Sequence, residues 1–127
     1  RLAVTASVDA MNYLKPLPLG HSVCVETYIS GTGKKSVEVF CKVVGEDVLN
    51  GERYLAATSF WTFVALPREG EGDFTVDAIV PETDEEKFIC SGYEERRKAR
   101  LEQLGRQEAL MDHITVVKPW NLEESES

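Results

Sequence analysis

Residues 22–43 of this 127-residue chain read SVCVETYISGTGKKSVEVFCKV, and they predict two antiparallel β-strands joined by a tight turn. Apolar side chains alternate with polar ones on both sides of residues 31–35, which is the period of a half-buried strand. The glycines of Gly31-Thr32-Gly33-Lys34-Lys35 permit the backbone to reverse direction there. This hairpin indicates a domain built on an antiparallel sheet.

Two further strands flank the hairpin in sequence. Residues 2–14 are rich in β-branched side chains, and a turn that contains Pro16, Pro18 and Gly20 ends them. Asn50-Gly51 is a strong hairpin signal, and residues 54–66 after it are apolar or small on both faces. Such a run is typical of a central strand that is covered on both sides. The sequence therefore predicts four long antiparallel strands in meander order.

The C-terminal part of the chain predicts helices. Thr83 and Glu86 have the spacing of a capping box, which predicts a helix from there to about Gln103 with a stop at Gly105. A second short helix is predicted over 107–112, and 74–80 is predicted as a short extended piece. We expect residues 1–81 to form the sheet domain, 82–112 a helical extension on the surface, and 113–127 a partly disordered tail.

Composition and charge argue against several classes of function. The net charge of −8 disfavours nucleic acid as a partner. No apolar run approaches the roughly 20 residues of a membrane helix, so no membrane partner is expected. The three cysteines have no CxxC spacing, which disfavours a disulfide framework or a zinc site. Cys24 and Cys41 are expected to be small buried hydrophobes in a protein of the reducing cytoplasm.

The predicted sheet has an apolar face that requires a cover. A few strands with one apolar face are stable only when another element packs on that face. The charged C-terminal helix is a poor candidate, and the chain starts at Arg1 rather than at Met. We expect an apolar helix to be encoded upstream of Arg1.

Five segments with a recognisable pattern follow one another along the chain: VTASVDAMNYLKP (4–16), GKKSVEV (33–39), GER (51–53), ATSFWTFVAL (57–66) and VPETDEEK (80–87). Together they resemble the hot-dog-fold acyl-CoA thioesterases, in the branch of the bacterial cytosolic enzymes and brain acyl-CoA hydrolase. The resemblance is continuous and in order over about residues 2–101.

The resemblance implies an α+β hot-dog fold, in which a curved antiparallel sheet wraps a central helix and a C-terminal helix lies on the surface. It implies hydrolysis of fatty acyl-CoA to fatty acid and CoA, with no metal and no cofactor beyond the CoA of the substrate and product. It also implies a homodimer, which in this family often assembles further into a hexamer as a trimer of dimers.

The family's catalytic elements have no match in this chain. Members carry an Asn and a Gly-Gly segment at the start of the central helix and an Asp further along it, ahead of the strand that begins here. Thioester hydrolysis needs such a carboxylate and donors for the oxyanion. The catalytic residue is therefore unknown and is expected outside these residues. The alternatives are a non-catalytic subunit that binds CoA or an acyl group, and a small lipid-binding barrel.

Three groups of residues are candidate sites. The resemblance points to the turn as the CoA contact, where lysines attract phosphates; the alternative is an ordinary solvated turn. Two polar residues of the first strand are candidates for the substrate groove; the alternative is that they face solvent. Two arginines of the helix are candidates for contact with the nucleotide; the alternative is a solvated helix with ion pairs four residues apart. These candidates are Thr32, Gly33, Lys34, Lys35 and Ser36; Asp9 and Asn12; and Arg96 and Arg97.

Overall fold

The computed structural model describes residues 2–121, which form a four-stranded antiparallel sheet followed by two helices. The elements are β1 (Ala3–Tyr13), β2 (Ser22–Thr32), β3 (Ser36–Glu46), β4 (Arg53–Ala65), α1 (Asp84–Ser91), α2 (Tyr93–Met111) and a short 3₁₀ turn at Pro119–Asn121. Two compact units divide the chain, one ending at Tyr93 and the other starting at Glu94. No helix among residues 2–121 has the length and apolarity to cross a bilayer.

The strand order is β1-β4-β3-β2, so the predicted meander is wrong for the first strand. Strands β2, β3 and β4 do form a meander, but β1 pairs with β4 rather than with β2. The connection through Pro16 and Pro18 is too irregular for a hairpin, and Gly20 adopts a φ of +89° in it. The apolar strand β4 consequently lies inside the sheet, as its composition predicted.

The first strand contains two irregularities in its pairing with β4. They fall between Thr5 and Ser7 and between Asp9 and Asn12. Ala10 in the second bulge has a φ of 47°, a left-handed conformation that costs a residue with a Cβ roughly 1–2 kcal/mol. Because the bulge adds one residue to β1, Asp9 and Asn12 point to the same side of the sheet.

Paired side chains on one side of the sheet form a row of aromatic rings. Tyr28, Phe40 and Phe60 are register partners across β2, β3 and β4, with ring centroids 5.3 Å and 5.1 Å apart. Phe40 in the middle is only 5% exposed. We call this side the aromatic face, and α1 contacts it through Glu85.

The opposite side of the sheet is the valine face, which carries mainly branched aliphatic side chains. Register pairs place Val25 beside Val43, and Ile29 beside Val39 and Trp61. Val25 is 58% exposed and Ile29 is 42% exposed. The expectation that an apolar helix covers this face remains a prediction.

Helix α1 begins where the capping signal predicted but ends earlier. The Thr83 hydroxyl accepts a hydrogen bond from the Glu86 N–H at 3.1 Å, and the Glu86 carboxylate accepts one from the Glu82 N–H. The helix ends at Gly92, whose N–H bonds to Ile89. The predicted stop at Gly105 and the separate helix over 107–112 are wrong, because α2 continues through Gly105. A helical glycine costs only about 1 kcal/mol, which neighbouring residues offset.

The expected burial of Cys24 and Cys41 is wrong. Cys24 is exposed on the edge strand β2, and Cys41 is only half-buried on β3. All three cysteines are free. The segment 74–80 has no regular strand, although the Val76 N–H donates to the Lys34 carbonyl. Of the expected tail, residues 122–127 lie outside the described part of the chain.

An ion-pair cluster attaches α1 to the aromatic face. The Lys42 ammonium lies 2.9 Å from Glu85 and 3.2 Å from Glu26, and the Tyr28 hydroxyl donates to Glu85 at 2.9 Å. The bonds from Lys42 and then Tyr28 lower the pKa of Glu85, and the bond to Glu85 raises the pKa of Lys42. Partial burial, followed by the nearby Glu85 carboxylate, raises the pKa of Tyr28.

Acid should weaken this attachment. Because the folded pKa of Glu85 lies below its ordinary value of 4.5, its contribution is complete above that pH and is lost as the pH falls through the folded pKa. We expect Glu85→Gln to destabilise by about 0.5–1 kcal/mol at pH 7, since both partners are partly exposed, and by progressively less as the pH falls through the folded pKa of Glu85. Denaturant melts from pH 3 to 7 measure this difference. Glu69→Gln in an exposed loop is the control, and a pH-independent Glu85→Gln effect contradicts the prediction.

Candidate functional site

The turn between β2 and β3 is held in place by backbone hydrogen bonds from three segments. Within the turn, the Gly33 N–H donates to the Ser36 carbonyl at 2.9 Å. The Ala65 N–H at the end of β4 donates to the Lys35 carbonyl, and the Val76 N–H donates to the Lys34 carbonyl, both at 2.7 Å. Thr32 and Ser36 belong to the flanking strands. The five predicted turn residues therefore form one ordered surface.

The two lysines of the turn have different surroundings. The Lys35 ammonium lies 3.4 Å from the Asp73 carboxylate and 5.4 Å from the Phe74 ring centroid. Lys34 is exposed and has no carboxylate partner among residues 2–121. Lys34 is thus the cation of this pair with an uncompensated charge, and it is suited to an anionic ligand.

Tyr93 packs directly on this turn, a contact that sequence reasoning missed. Its ring occupies the space where a Cβ on Gly31 would lie, and its hydroxyl is 3.5 Å from the Cβ position of Gly33. Tyr93 is 7% exposed. Gly31 therefore has a structural reason of its own, which is to admit an aromatic ring. The only sequence signal was an aromatic residue among charged ones at the start of α2.

Asp9 and Asn12 share the aromatic face, as register partners of Phe60 and Thr58. The Ser7 hydroxyl donates to the Asp9 carboxylate at 2.8 Å, and the Asn12 amide donates to the Ala10 carbonyl at 3.0 Å. These two side chains are brought together on one strand but make local contacts. Their assignment to a substrate groove stays a prediction.

Arg96 and Arg97 lie in the first turns of α2, with Arg97 exposed and Arg96 half-buried. They belong to the second compact unit, whereas the turn belongs to the first. Their predicted contact with the nucleotide stays a prediction.

A polar cluster at the other end of the sheet is also new. The His21 Nδ1 lies 2.7 Å from the Tyr54 hydroxyl, and its Nε2 lies 3.9 Å from the Asp47 carboxylate. These side chains, with Lys15 and Glu52, line a cavity of about 240 Å³. His21 precedes β2 whereas Asp47 and Tyr54 flank the β3–β4 hairpin, so sequence alone offered no signal that they meet.

Next to this cluster, an apolar cavity of about 410 Å³ opens on the valine face. Its lining includes Tyr13, Leu14, Leu17, Val43 and Ala57. An apolar concave surface of this kind is chemically suited to an alkyl chain. Among the described residues, no group of three His, Cys, Asp or Glu side chains has a geometry for a metal ion.

Comparison with known sequences identifies relatives of this chain. The model of the thioesterase superfamily matches residues 1–51. A protein of Bacillus subtilis, named as an uncharacterized acyl-CoA thioester hydrolase, is 42% identical over 120 residues, which cover 94% of this chain and 69% of the relative. The human cytosolic acyl coenzyme A thioester hydrolase is 37% identical over 86 residues, covering 66% of this chain and 22% of that protein.

Solved structures match the fold as well. An acyl-CoA hydrolase from Bacillus cereus superposes with a TM-score of 0.81 at 36% identity, covering 89% of this chain and 68% of that one. The acyl-CoA hydrolase of Staphylococcus aureus in complex with butyryl-CoA, CoA and CoA disulfide gives 0.79 at 32% identity, covering 87% and 67%. A hexameric acyl-CoA thioesterase gives 0.71 at 31% identity, covering 80% and 65%.

Proposed function

Because this chain belongs to the acyl-CoA thioester hydrolases, we propose that its protein hydrolyses fatty acyl-CoA to a free fatty acid and CoA. The observation that carries the proposal is the 42% identity to the Bacillus subtilis hydrolase over 94% of this chain. The predicted family and hot-dog fold are confirmed by these relatives and by the Bacillus cereus structure. The chain spans 69% of the first relative and 22% of the human one, so the activity of the whole protein is inferred from them.

Within this activity, we assign CoA binding to the turn of residues 32–36. The phosphates of CoA need a cation, and the uncompensated ammonium of Lys34 supports this assignment. The ordered backbone of the turn supports it too, since a preformed surface loses little entropy on binding. Asp9 and Asn12 remain candidates for the substrate groove, and Arg96 and Arg97 for the nucleotide. No residue is assigned as the catalytic carboxylate.

The same relatives support a proposal for the assembly and the location. The match to a hexameric acyl-CoA thioesterase supports a homo-oligomer, and we propose a dimer that assembles into a trimer of dimers. The cytosolic human relative supports a cytoplasmic location. We propose that hydrolysis proceeds without a metal or a bound cofactor.

A thiol-release assay tests the proposed function. The full-length protein is offered straight-chain acyl-CoAs of two to eighteen carbons, and CoA release is followed with a thiol reagent. Turnover of any of them supports hydrolysis. If CoA binds in a calorimeter but no thioester is cleaved, the non-catalytic alternative is correct. If neither binding nor turnover is found, both functions are wrong.

Removal of the Lys34 charge should weaken binding of acyl-CoA. We expect Lys34→Ala to raise KM about three- to tenfold with kcat nearly unchanged, because an exposed cation near phosphates contributes roughly 1 kcal/mol. The double variant Lys35→Ala/Asp73→Asn removes a charge pair that is already neutral overall, so its KM should rise less than that of Lys34→Ala.

The control for Lys34→Ala is Arg53→Ala, which removes the same charge at the start of β4. That position is some 40 Å from the turn, since β4 has 13 residues at roughly 3.3 Å each. Steady-state kinetics at low and high salt measure all three variants. An equal KM for Lys34→Ala and Arg53→Ala would mean that the turn does not bind CoA.

A further inference from the structure

The turn that carries Lys34 is covered by a single aromatic side chain. The Tyr93 ring lies against the backbone of Gly31, so closely that a Cβ there would overlap its Cγ, Cδ1 and Cδ2 atoms. The Tyr93 hydroxyl extends towards Gly33, and the Ser36 hydroxyl lies 2.6 Å from the Cβ position of that glycine. Both glycines of the turn are therefore packed against side chains, one of which comes from the start of α2.

The position of Tyr93 is itself fixed by the helix that precedes it. It follows Gly92, which ends α1, and α1 is attached to the sheet through Glu85 and Lys42. The ring is 7% exposed, although the α2 sequence around it is strongly charged. A ring held in this way restricts the backbone of a glycine-containing turn that would otherwise have wide conformational freedom.

We propose that Tyr93 is a positioning residue for CoA, which holds the turn of residues 31–36 in the conformation that presents Lys34 to the nucleotide phosphates. This inference rests on the proposed function. Tyr93 acts through the turn and does not touch the thioester. Its contribution is pre-organisation: without the ring, binding must order the glycine backbone, and the affinity falls accordingly.

The expected effect is confined to the nucleotide half of the substrate. Ordering the backbone of about one residue costs roughly a factor of ten in affinity. Tyr93→Ala should therefore raise KM for acyl-CoA about tenfold and leave kcat within about twofold. The KM for the matching acyl-pantetheine, which lacks the phosphorylated nucleotide, should not change. Tyr93→Phe retains the ring and should behave as the wild type.

A second variant approaches the same contact from the turn. Gly31→Ala places a methyl group where the Tyr93 ring lies, so the ring must leave and KM for acyl-CoA should rise as in Tyr93→Ala. Amide hydrogen exchange of residues 31–36 without ligand should be faster in both variants than in the wild type. This readout needs no activity, and circular dichroism confirms that each variant is folded.

The outcomes separate the inference from its premise. If the wild type neither binds nor hydrolyses acyl-CoA, the proposed function is wrong. If the wild type is active and Tyr93→Ala keeps its KM, the inference is wrong. It is also wrong if KM rises equally for acyl-CoA and acyl-pantetheine, because that result indicates a general structural role. If Tyr93→Ala does not fold, the KM values of Gly31→Ala for acyl-CoA and for acyl-pantetheine test the inference in its place.

Discussion

Replacement of Phe40 by alanine is expected to lower the free energy of unfolding by about 3–5 kcal/mol. Phe40 is 5% exposed, at the centre of the aromatic face. Its ring contacts Tyr28 on one side and Phe60 on the other, with centroids 5.3 Å and 5.1 Å away. The substitution removes a buried ring and both aromatic contacts, and β-strand backbones on either side prevent the space from closing. Urea unfolding measures the change.

Phe88→Ala is the matched control, because it deletes the same atoms from a side chain that is 77% exposed on α1. It should alter stability by no more than about 0.5 kcal/mol. A Phe40→Ala loss below about 1 kcal/mol would mean that the aromatic row does not form the core of the sheet.

Ser30→Ala should produce the second-largest loss, about 1.5–3 kcal/mol. Ser30 is fully buried and Glu38 is 7% exposed, and the serine hydroxyl donates to the glutamate carboxylate at 2.7 Å. Removal of the hydroxyl takes away a hydrogen bond to a buried carboxylate in a place where water cannot replace it. Hydrogen bonds to charged groups are the most costly kind to lose.

Ser22→Ala provides the comparison for this prediction. Ser22 lies in the same strand but is exposed, so water replaces any lost hydrogen bond and the stability should stay within about 0.5 kcal/mol. Thermal melts of both variants at pH 7 suffice. Equal melting temperatures for Ser30→Ala and the wild type would show that the Ser30–Glu38 bond is not made in solution.

Local patterns predicted the elements of the fold well. The alternation around residues 31–35 and the capping residues Thr83 and Glu86 both act over a few residues, and the structure has the hairpin and the helix start where they predicted. The predicted pairing of β1 was wrong, because the alternation pattern of a strand does not specify which neighbouring strand it pairs with. The stop predicted at Gly105 failed for a similar reason, since one glycine does not decide where a helix ends.

The same distinction between local pattern and tertiary contact applies to the candidate site. The sequence predicted the lysines and glycines of the turn as a candidate site, but it could not predict that the two lysines differ in their carboxylate partners. Lys35 is compensated by Asp73, which lies 38 positions further along the chain, and the turn is covered by Tyr93, 60 positions after Gly33. The His21, Asp47 and Tyr54 cluster likewise joins residues that meet only when the strands pair.

By itself, the sequence determined the antiparallel strands, the hairpin turn, the helix cap and the resemblance to acyl-CoA thioesterases. These depend on side-chain periodicity and on short motifs, which are written in consecutive residues. Only the tertiary structure decided that β1 joins β4, that Lys34 is the cation without a carboxylate partner in the described chain, and that Tyr93 rather than a ligand explains the space at Gly31. Those features depend on pairing and packing between distant segments, which no local pattern specifies.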